Sequence, residues 1–199
     1  MTSDLWLMLA PAGLGGVLML AVLYRQIYRV GDRTVEQVLP SISPLGAMGV
    51  HELFSAAAER HLRMNLTPEQ FRRAQRHRII LALEYMRRIS HNARVLQQWA
   101  SYEMARGRAA ADQKHSHLST DLIAASVHCR MCTLVLRTRL HAWLFRLALL
   151  PFAAPPSFEA LIRFGSTDLL CFYSKLRKAA GQLGRRYGEV HRNKLAELL

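Results

Sequence analysis

Cysteine is scarce: three in 199 residues, too few for a disulfide-stapled scaffold. Acidic side chains are also few, 14 Asp and Glu against 27 Lys and Arg, which leaves a formal net charge of +13. No Gly-rich phosphate loop, nucleophile elbow or zinc-protease motif occurs, so no local signature marks a catalytic or cofactor site. No stretch alternates at period two, which argues against a sheet, and no internal repeat is visible. A hydrophobic content of 51% nevertheless excludes a disordered or low-complexity chain. The length suits one domain with an appendage.

The longest uncharged run is at the N-terminus. Leu5 to Tyr24 reads LWLMLAPAGLGGVLMLAVLY, twenty residues without a charge. As a helix it would span about 30 Å, the thickness of a bilayer's hydrocarbon core. Trp6, Tyr24 and Tyr28 stand where interfacial aromatics are expected. Only Asp4 precedes the run, whereas Arg25, Arg29 and Arg33 follow it, so the expected orientation is N-terminus outside and the rest cytoplasmic. A cleaved signal would need a basic start, which Met1-Thr2-Ser3-Asp4 lacks, and a buried soluble helix would show a polar face. Pro11 and the glycines at 13, 15 and 16 are tolerated in membrane helices. Ala12 and Gly16 form a small-xxx-small pair that would suit association of two anchors, a weak pointer to a homo-oligomer.

Residues 1–30 therefore read as a transmembrane anchor. Residues 31–50, with Pro40, Pro44, Gly46 and Gly49, read as a linker. Residues 51–199 read as a basic helical cytoplasmic domain. The first 50 residues balance three Arg against three acidic residues, so the whole excess charge falls in the remainder. The expected fold class is all-α: an N-terminal single-pass transmembrane helix followed by a cytoplasmic helical bundle.

Within that domain a short helix is expected from about His51 to Met64. A second has the clearest start: Thr67 as N-cap, Pro68 at the first helical position and Gln70 completing a capping box, with Leu66 and Phe71 as a hydrophobic staple. It should run to about Arg106, where Gly107 offers a stop or a kink. A third is expected from Ser119 or Thr120 to just before Pro151, a short one from Ser157 to Phe164, and a last one from Thr167 onward, weakened by Gly181, Gly184 and Gly188.

At about 100° per residue, with Arg72 at zero, the second helix divides in two. Arg73, Arg76, His77, Arg87, Arg88, His91, Arg94, Arg106 and Arg108 share one half with Arg72. Phe71, Ala74, Leu81, Ala82, Tyr85, Met86, Ile89, Ala93, Leu96, Trp99, Ala100 and Met104 share the other; Arg78 alone among the cations lies outside the basic half, and Ile80 and Leu83 are apolar exceptions to the division. A charged face is ordinarily the solvated side. Here only Glu69 and Glu84 share it, although mixed signs would stabilise an exposed helix better. Three acceptors fit an unbalanced basic face: an acidic protein, the anionic inner leaflet, or, less well, nucleic acid. The aromatics lie on the packing side rather than beside the arginines, which counts against nucleic acid.

The third helix shows two apolar sides, Leu136, Leu140, Trp143 and Leu147 on one and Leu134, Thr138, Phe145 and Leu149 on the other. That pattern suits the centre of a bundle, with membrane contact as the alternative. His128-Cys129-Arg130-Met131-Cys132, with His115 and His117 nearby, invites a metal or dithiol reading, but both cysteines fall on the Leu136 side and read as small core residues. The pairs His51-Glu52 and Glu59-His61, and the C-terminal cations Lys175, Arg177, Lys178, Arg185, Arg186, Arg192 and Lys194, read as side chains turned to solvent.

The functional expectation is a membrane-anchored binding or adaptor protein. It would engage a protein partner, and anionic lipid, through Arg72, Arg73, Arg76, Arg87, Arg88 and Arg94. A membrane-tethered nucleic-acid binder is the alternative, and a metal- or thiol-dependent membrane enzyme a further one. No cofactor, catalytic residue or metal ligand is assigned.

Overall fold

A computed structural model describes residues 33–45, 55–110, 112–150, 157–158 and 167–199. All regular elements among them are helical. In order they are α1 (Val35–Val38), continued by a 3-10 turn (Leu39–Ser41), α2 (Ala56–Asn65), α3 (Pro68–Ala109), α4 (Gln113–Leu149), α5 (Thr167–Gly184), a 3-10 turn (Arg185–Tyr187) and α6 (Glu189–Leu198). Residues 33–199 make one compact unit. Among the described residues no helix is long and apolar enough to cross a membrane. The Leu5–Tyr24 segment, and with it the anchor expected over 1–30, lies outside them.

The frame is the α3–α4 hairpin. α3 begins as its sequence dictates: the Thr67 hydroxyl accepts the Gln70 amide at 3.4 Å and the Gln70 side chain accepts the Thr67 amide at 3.1 Å. It then runs for 42 residues, about 63 Å. Gly107 does not stop it, since the helix continues to Ala109. Gly107 is instead a packing position: a Cβ there would stand 2.7 Å from His115 Cδ2 on α4. α4 starts six residues before the expected Ser119, because Asp112 caps it by accepting the His115 amide at 3.0 Å. Ser119 and Thr120 do not cap. Their hydroxyls bond back to the carbonyls of His115 and Ser116, at 3.0 and 2.9 Å, inside a continuous helix.

α4 packs against both α3 and α5, while α3 and α5 hardly meet, so α4 is the middle helix of a layer of three. Phe172 on α5 stacks on His128 midway along α4, and Arg186 beyond α5 reaches Asp112 at the start of α4, so α5 runs antiparallel to α4. At 18 residues, about 27 Å, α5 covers only the first part of its 37-residue neighbour. Among the described residues, the expectation of a helix enclosed on both sides therefore holds for part of α4 only. Leu136, Leu140 and Leu147 are buried, but Phe145 and Leu149 on the opposite side are 66% and 60% exposed. Ile80 and Leu81 are exposed as well. The antiparallel contacts Met104–Thr120 and Gln97–Arg130 put those two level with Phe145, at one open end of the hairpin.

Part of the expected linker is a packed element. Val35, Val38 and Ile42 belong to the core, and Asn92 on α3 holds the segment by accepting the Ser43 amide at 2.9 Å and donating to the Ser43 carbonyl at 2.8 Å. The short helix α2 is held by Arg78, the one cation outside the basic arc. Buried, it lies 4.6 Å from the Phe158 ring and donates to Gln75 Oε1 at 3.2 Å and the Ser55 carbonyl at 3.4 Å. Glu59, expected on the surface, is buried because its carboxylate accepts the Phe158 amide at 2.8 Å. Phe158 is helical, and the remainder of the helix expected over 157–164 lies outside the described residues, as do His51 and Glu52. The last helix breaks at Gly188, whose φ of +97° only glycine adopts without strain, so α6 folds back on α5.

Replacing Asn92 by Ala removes both bonds to Ser43 and should cost about 1–3 kcal/mol in denaturant unfolding. Native-state hydrogen exchange should then show the Ser43 amide losing protection while amides in the middle of α3 keep theirs.

Candidate functional site

Two polar features of α3 compete for a functional role, one on its outer face and one inside. On the outer face, Arg73, Arg76, Arg87, Arg88 and Arg94 are exposed and Arg72 is half-buried and engaged with a neighbour. Arg73 pairs with Glu69 at 2.7 Å, both side chains wide open to water. Glu84 serves two guanidiniums, Arg87 at 2.9 Å and Arg88 at 3.2 Å. The hydrogen bonds from Arg87 and then Arg88 hold the Glu84 carboxyl below the usual carboxylate range. Such pairs contribute little to stability in water. Among the described residues no carboxylate pairs with Arg76 or Arg94. The face therefore keeps its excess charge in the fold.

The tertiary structure adds a cation that helix spacing on α3 does not contain. Arg130 of α4 donates to Gln97 Oε1 at 2.5 Å. Burial lowers its pKa, and the Arg94 charge lowers it further. The aromatics of α3 stay inside or at the edge: Phe71 and Trp99 are buried and Tyr85 half-buried, with burial pushing the Tyr85 phenol up.

The inner feature is a carboxylate set in the apolar side of α3. Glu103 falls at about 220° on the angular scale that places Arg72 at zero, inside the apolar arc. It is 1% exposed. Trp99 Nε1 donates to its Oε1 at 3.2 Å, the Tyr187 hydroxyl donates to the same oxygen, and His115 Nε2 lies 2.9 Å from Oε2. Three elements thus converge on one carboxylate: α3, the first turn of α4, and the 3-10 turn after α5. Burial, followed by the bond to Glu103, pushes the Tyr187 phenol well above its ordinary value, so it stays a donor. A second tie closes the same corner, Arg186 to Asp112 at 2.6 Å, and Arg186 followed by the His115 amide holds the Asp112 carboxyl low.

A cavity of about 220 Å³ lies beside this knot, lined by Glu103, Arg106, Asp112, His115, Arg186 and Tyr187 among others. Most of the polar groups in this lining are already engaged with one another. Glu103 is in contact with Trp99, Tyr187 and His115, whereas the buried His115 Nδ1 has no partner. The arrangement ties α3, the start of α4 and the turn after α5 together.

The cysteine region is structural in character. Cys129 is fully buried and its thiol is pushed up to about 12, first by burial and then by Cys132, so it stays protonated at neutral pH. His128 lies over the Phe172 ring at 5.0 Å with its Nδ1 on the Ala124 carbonyl. The helix is unbroken from Gln113 onward, so His115 and His117 remain about three turns or more from His128 and Cys132. Among the described residues no group of His, Cys, Asp and Glu is placed to share a metal.

No protein-family model matches this chain, and no curated protein or solved structure matches it either.

Glu103→Gln keeps the shape but places an amide NH₂ against donors, and should destabilise the fold by about 2–4 kcal/mol in urea titration. A pH prediction follows from the buried phenols. Tyr173, which donates to the Leu199 carbonyl at 2.8 Å, has its phenol raised mainly by burial, as Tyr187 does. The folded state then holds protons that the unfolded state releases above about pH 10, so stability is intact below that pH and falls above it. For Tyr173 the slope should approach about 1.4 kcal/mol per pH unit, and Tyr173→Phe should flatten the unfolding curve between pH 10 and 11.5.

Proposed function

We propose that this chain is a membrane-tethered, non-enzymatic binding protein whose basic α3 face takes an acidic protein surface. The observation that carries the reading is the retained imbalance of that face: Glu69 and Glu84 are set against Arg72, Arg73, Arg76, Arg87, Arg88 and Arg94, with Arg130 brought up beside Arg94. Gathering like charges on one side of a helix costs stability, and an acidic counter-surface offsets that cost. The tether is the uncharged Leu5–Tyr24 run, oriented by Arg25, Arg29 and Arg33 with the helical domain on the cytoplasmic side.

Anionic lipid is the second contact in this reading. Each Arg within a Debye length of the inner leaflet contributes about 1 kcal/mol. Ile80, Leu81, Phe145, Leu149 and Leu150 are exposed at the open end of the hairpin, where α3 also carries Arg73 and Arg76. Apolar side chains beside cations suit the headgroup–acyl boundary. A nucleic-acid role draws no support from the aromatics, which are turned into the packing.

The test is charge reversal of Arg72, Arg73, Arg76, Arg87, Arg88 and Arg94 to Glu in the full chain, purified in mild detergent beside the wild type. A protein recovered in fixed ratio with the wild type and lost from the variant, at unchanged helical content and melting temperature, is the expected outcome. Recovery of the same protein with both forms would show the face to be merely solvated. A high 260/280 ratio that falls steeply with salt would replace the acidic protein with nucleic acid.

A further inference from the structure

Each of the other described glycines has a structural reason. A Cβ at Gly107 would meet His115 at 2.7 Å, one at Gly184 would meet Leu195 Cδ1 at 2.9 Å, and Gly188 has its positive φ. Gly181 has none: nothing lies within 4 Å of where its Cβ would be, and it sits inside α5, where glycine disfavours the helix. The space it leaves is the floor of a second cavity, about 250 Å³, lined by Arg177, Lys178, Gly181, Gln182, Arg185 and Arg192. No carboxylate is among them.

The geometry explains how four cations come together. Arg177 and Gly181 stand four residues apart on α5, and Arg185 opens the 3-10 turn four residues further on, so the missing side chain leaves a gap between two guanidiniums that line the same cavity. Gly184 lets α6 approach closely enough that Arg192 Cα would lie 3.7 Å from a Cβ there, and this brings Arg192 in from the opposite side. Arg177 uses one nitrogen on the Ala196 carbonyl at 3.0 Å, and Arg192 uses one on Glu189 at 2.8 Å. Lys178 and Arg185 are exposed. The helix dipole accounts for a cation near the end of α5, but Arg192 stands in the first turn of α6, where a cation is disfavoured.

We infer that the Gly181 cleft binds a polyphosphorylated ligand, with Arg177, Lys178, Arg185 and Arg192 as its cationic walls. Guanidinium forks match phosphoryl oxygens two at a time. The cavity holds about eight waters at roughly 30 Å³ each, more than one phosphoryl group fills. Glu189 offsets only one of the four charges, so a single phosphate dianion would leave the site unneutralised. The same chemistry is offered by a soluble polyphosphate and by the headgroup of a polyphosphorylated lipid. This site is separate from the α3 face and does not depend on the function proposed for it.

The experiment uses the full chain in mild detergent and in nanodiscs. Inositol hexakisphosphate is titrated calorimetrically, and vesicles carrying a bisphosphorylated inositol lipid are compared with phosphatidylserine vesicles of equal surface charge. Three variants accompany the wild type: Gly181→Leu, which fills the cleft without changing charge; Lys178→Gln with Arg185→Gln; and Arg73→Gln with Arg76→Gln as a control of equal charge loss on α3. Melting temperatures verify the fold. The expected result is saturable one-to-one binding, weakened at least tenfold by the first two variants and less than twofold by the third. Saturable binding of the soluble probe assigns the site to a free ligand, and preference for the inositol lipid with no soluble binding assigns it to a headgroup; either supports the cleft. If Gly181→Leu binds as the wild type does, or if all binding follows total charge, the inference is wrong.

Discussion

A buried polar group must find a partner inside the protein, and that requirement organises this molecule. The apolar side of α3 carries Gln75, Arg78, Asn92 and Glu103, all of them buried. Desolvating such groups is costly unless their hydrogen bonds are replaced. Each is paired, and three of them pair with a segment distant in sequence: Asn92 with residue 43, Arg78 with residue 55 and the Phe158 ring, and Glu103 with His115 and Tyr187. The hydrophobic surface of α3 supplies most of the driving force for collapse. The polar residues set within it decide which segment docks where along some 60 Å of helix, because a slipped register would strand a charge or an amide.

The same logic separates structural cations from available ones. Arg78 is consumed by the core, and burial lowers its pKa against the raising effect of Glu59. Arg76 and Arg94 stay outside, with no carboxylate against them among the described residues. Around Gly181 the balance tips further, because α6 folds back and adds Arg192 to cations already gathered on α5. Both basic surfaces hold like charges close together, and a bound anion would relieve the repulsion in each. They differ in shape. The α3 face is an extended convex strip, whereas the α5–α6 cleft is concave and small, which suits a macromolecular surface in one case and a compact anion in the other.

Much of the fold is legible along the chain where information is local. The capping box at Thr67, the length of α3, the end of α4 before Pro151 and the division of α3 into basic and apolar arcs depend on residues within a few positions of one another. The start of α4 is not legible locally, because Ser119 and Thr120 look like caps, whereas in a continuous helix their hydroxyls bond to carbonyls one turn back. Glu103 announces itself only as an acid in an apolar arc. Its partners stand 12 and 84 residues away, and no local pattern connects them. The exposure of Phe145 and Leu149 was likewise beyond a periodicity argument, which can find an apolar side but not the length of the helix that will cover it.

The helical class, the excess of positive charge and the sidedness of α3 are all readable along the chain, because each follows from composition and from the 3.6-residue period. Tertiary structure alone decided that residues 35–42 join the core, that Arg130 comes to stand beside Arg94, and that Arg192 meets Arg177 and Arg185 over Gly181. These are meetings between segments far apart in the chain. They arise when buried polar groups choose their partners and when glycines let helices approach, and neither event is encoded in any one stretch of residues.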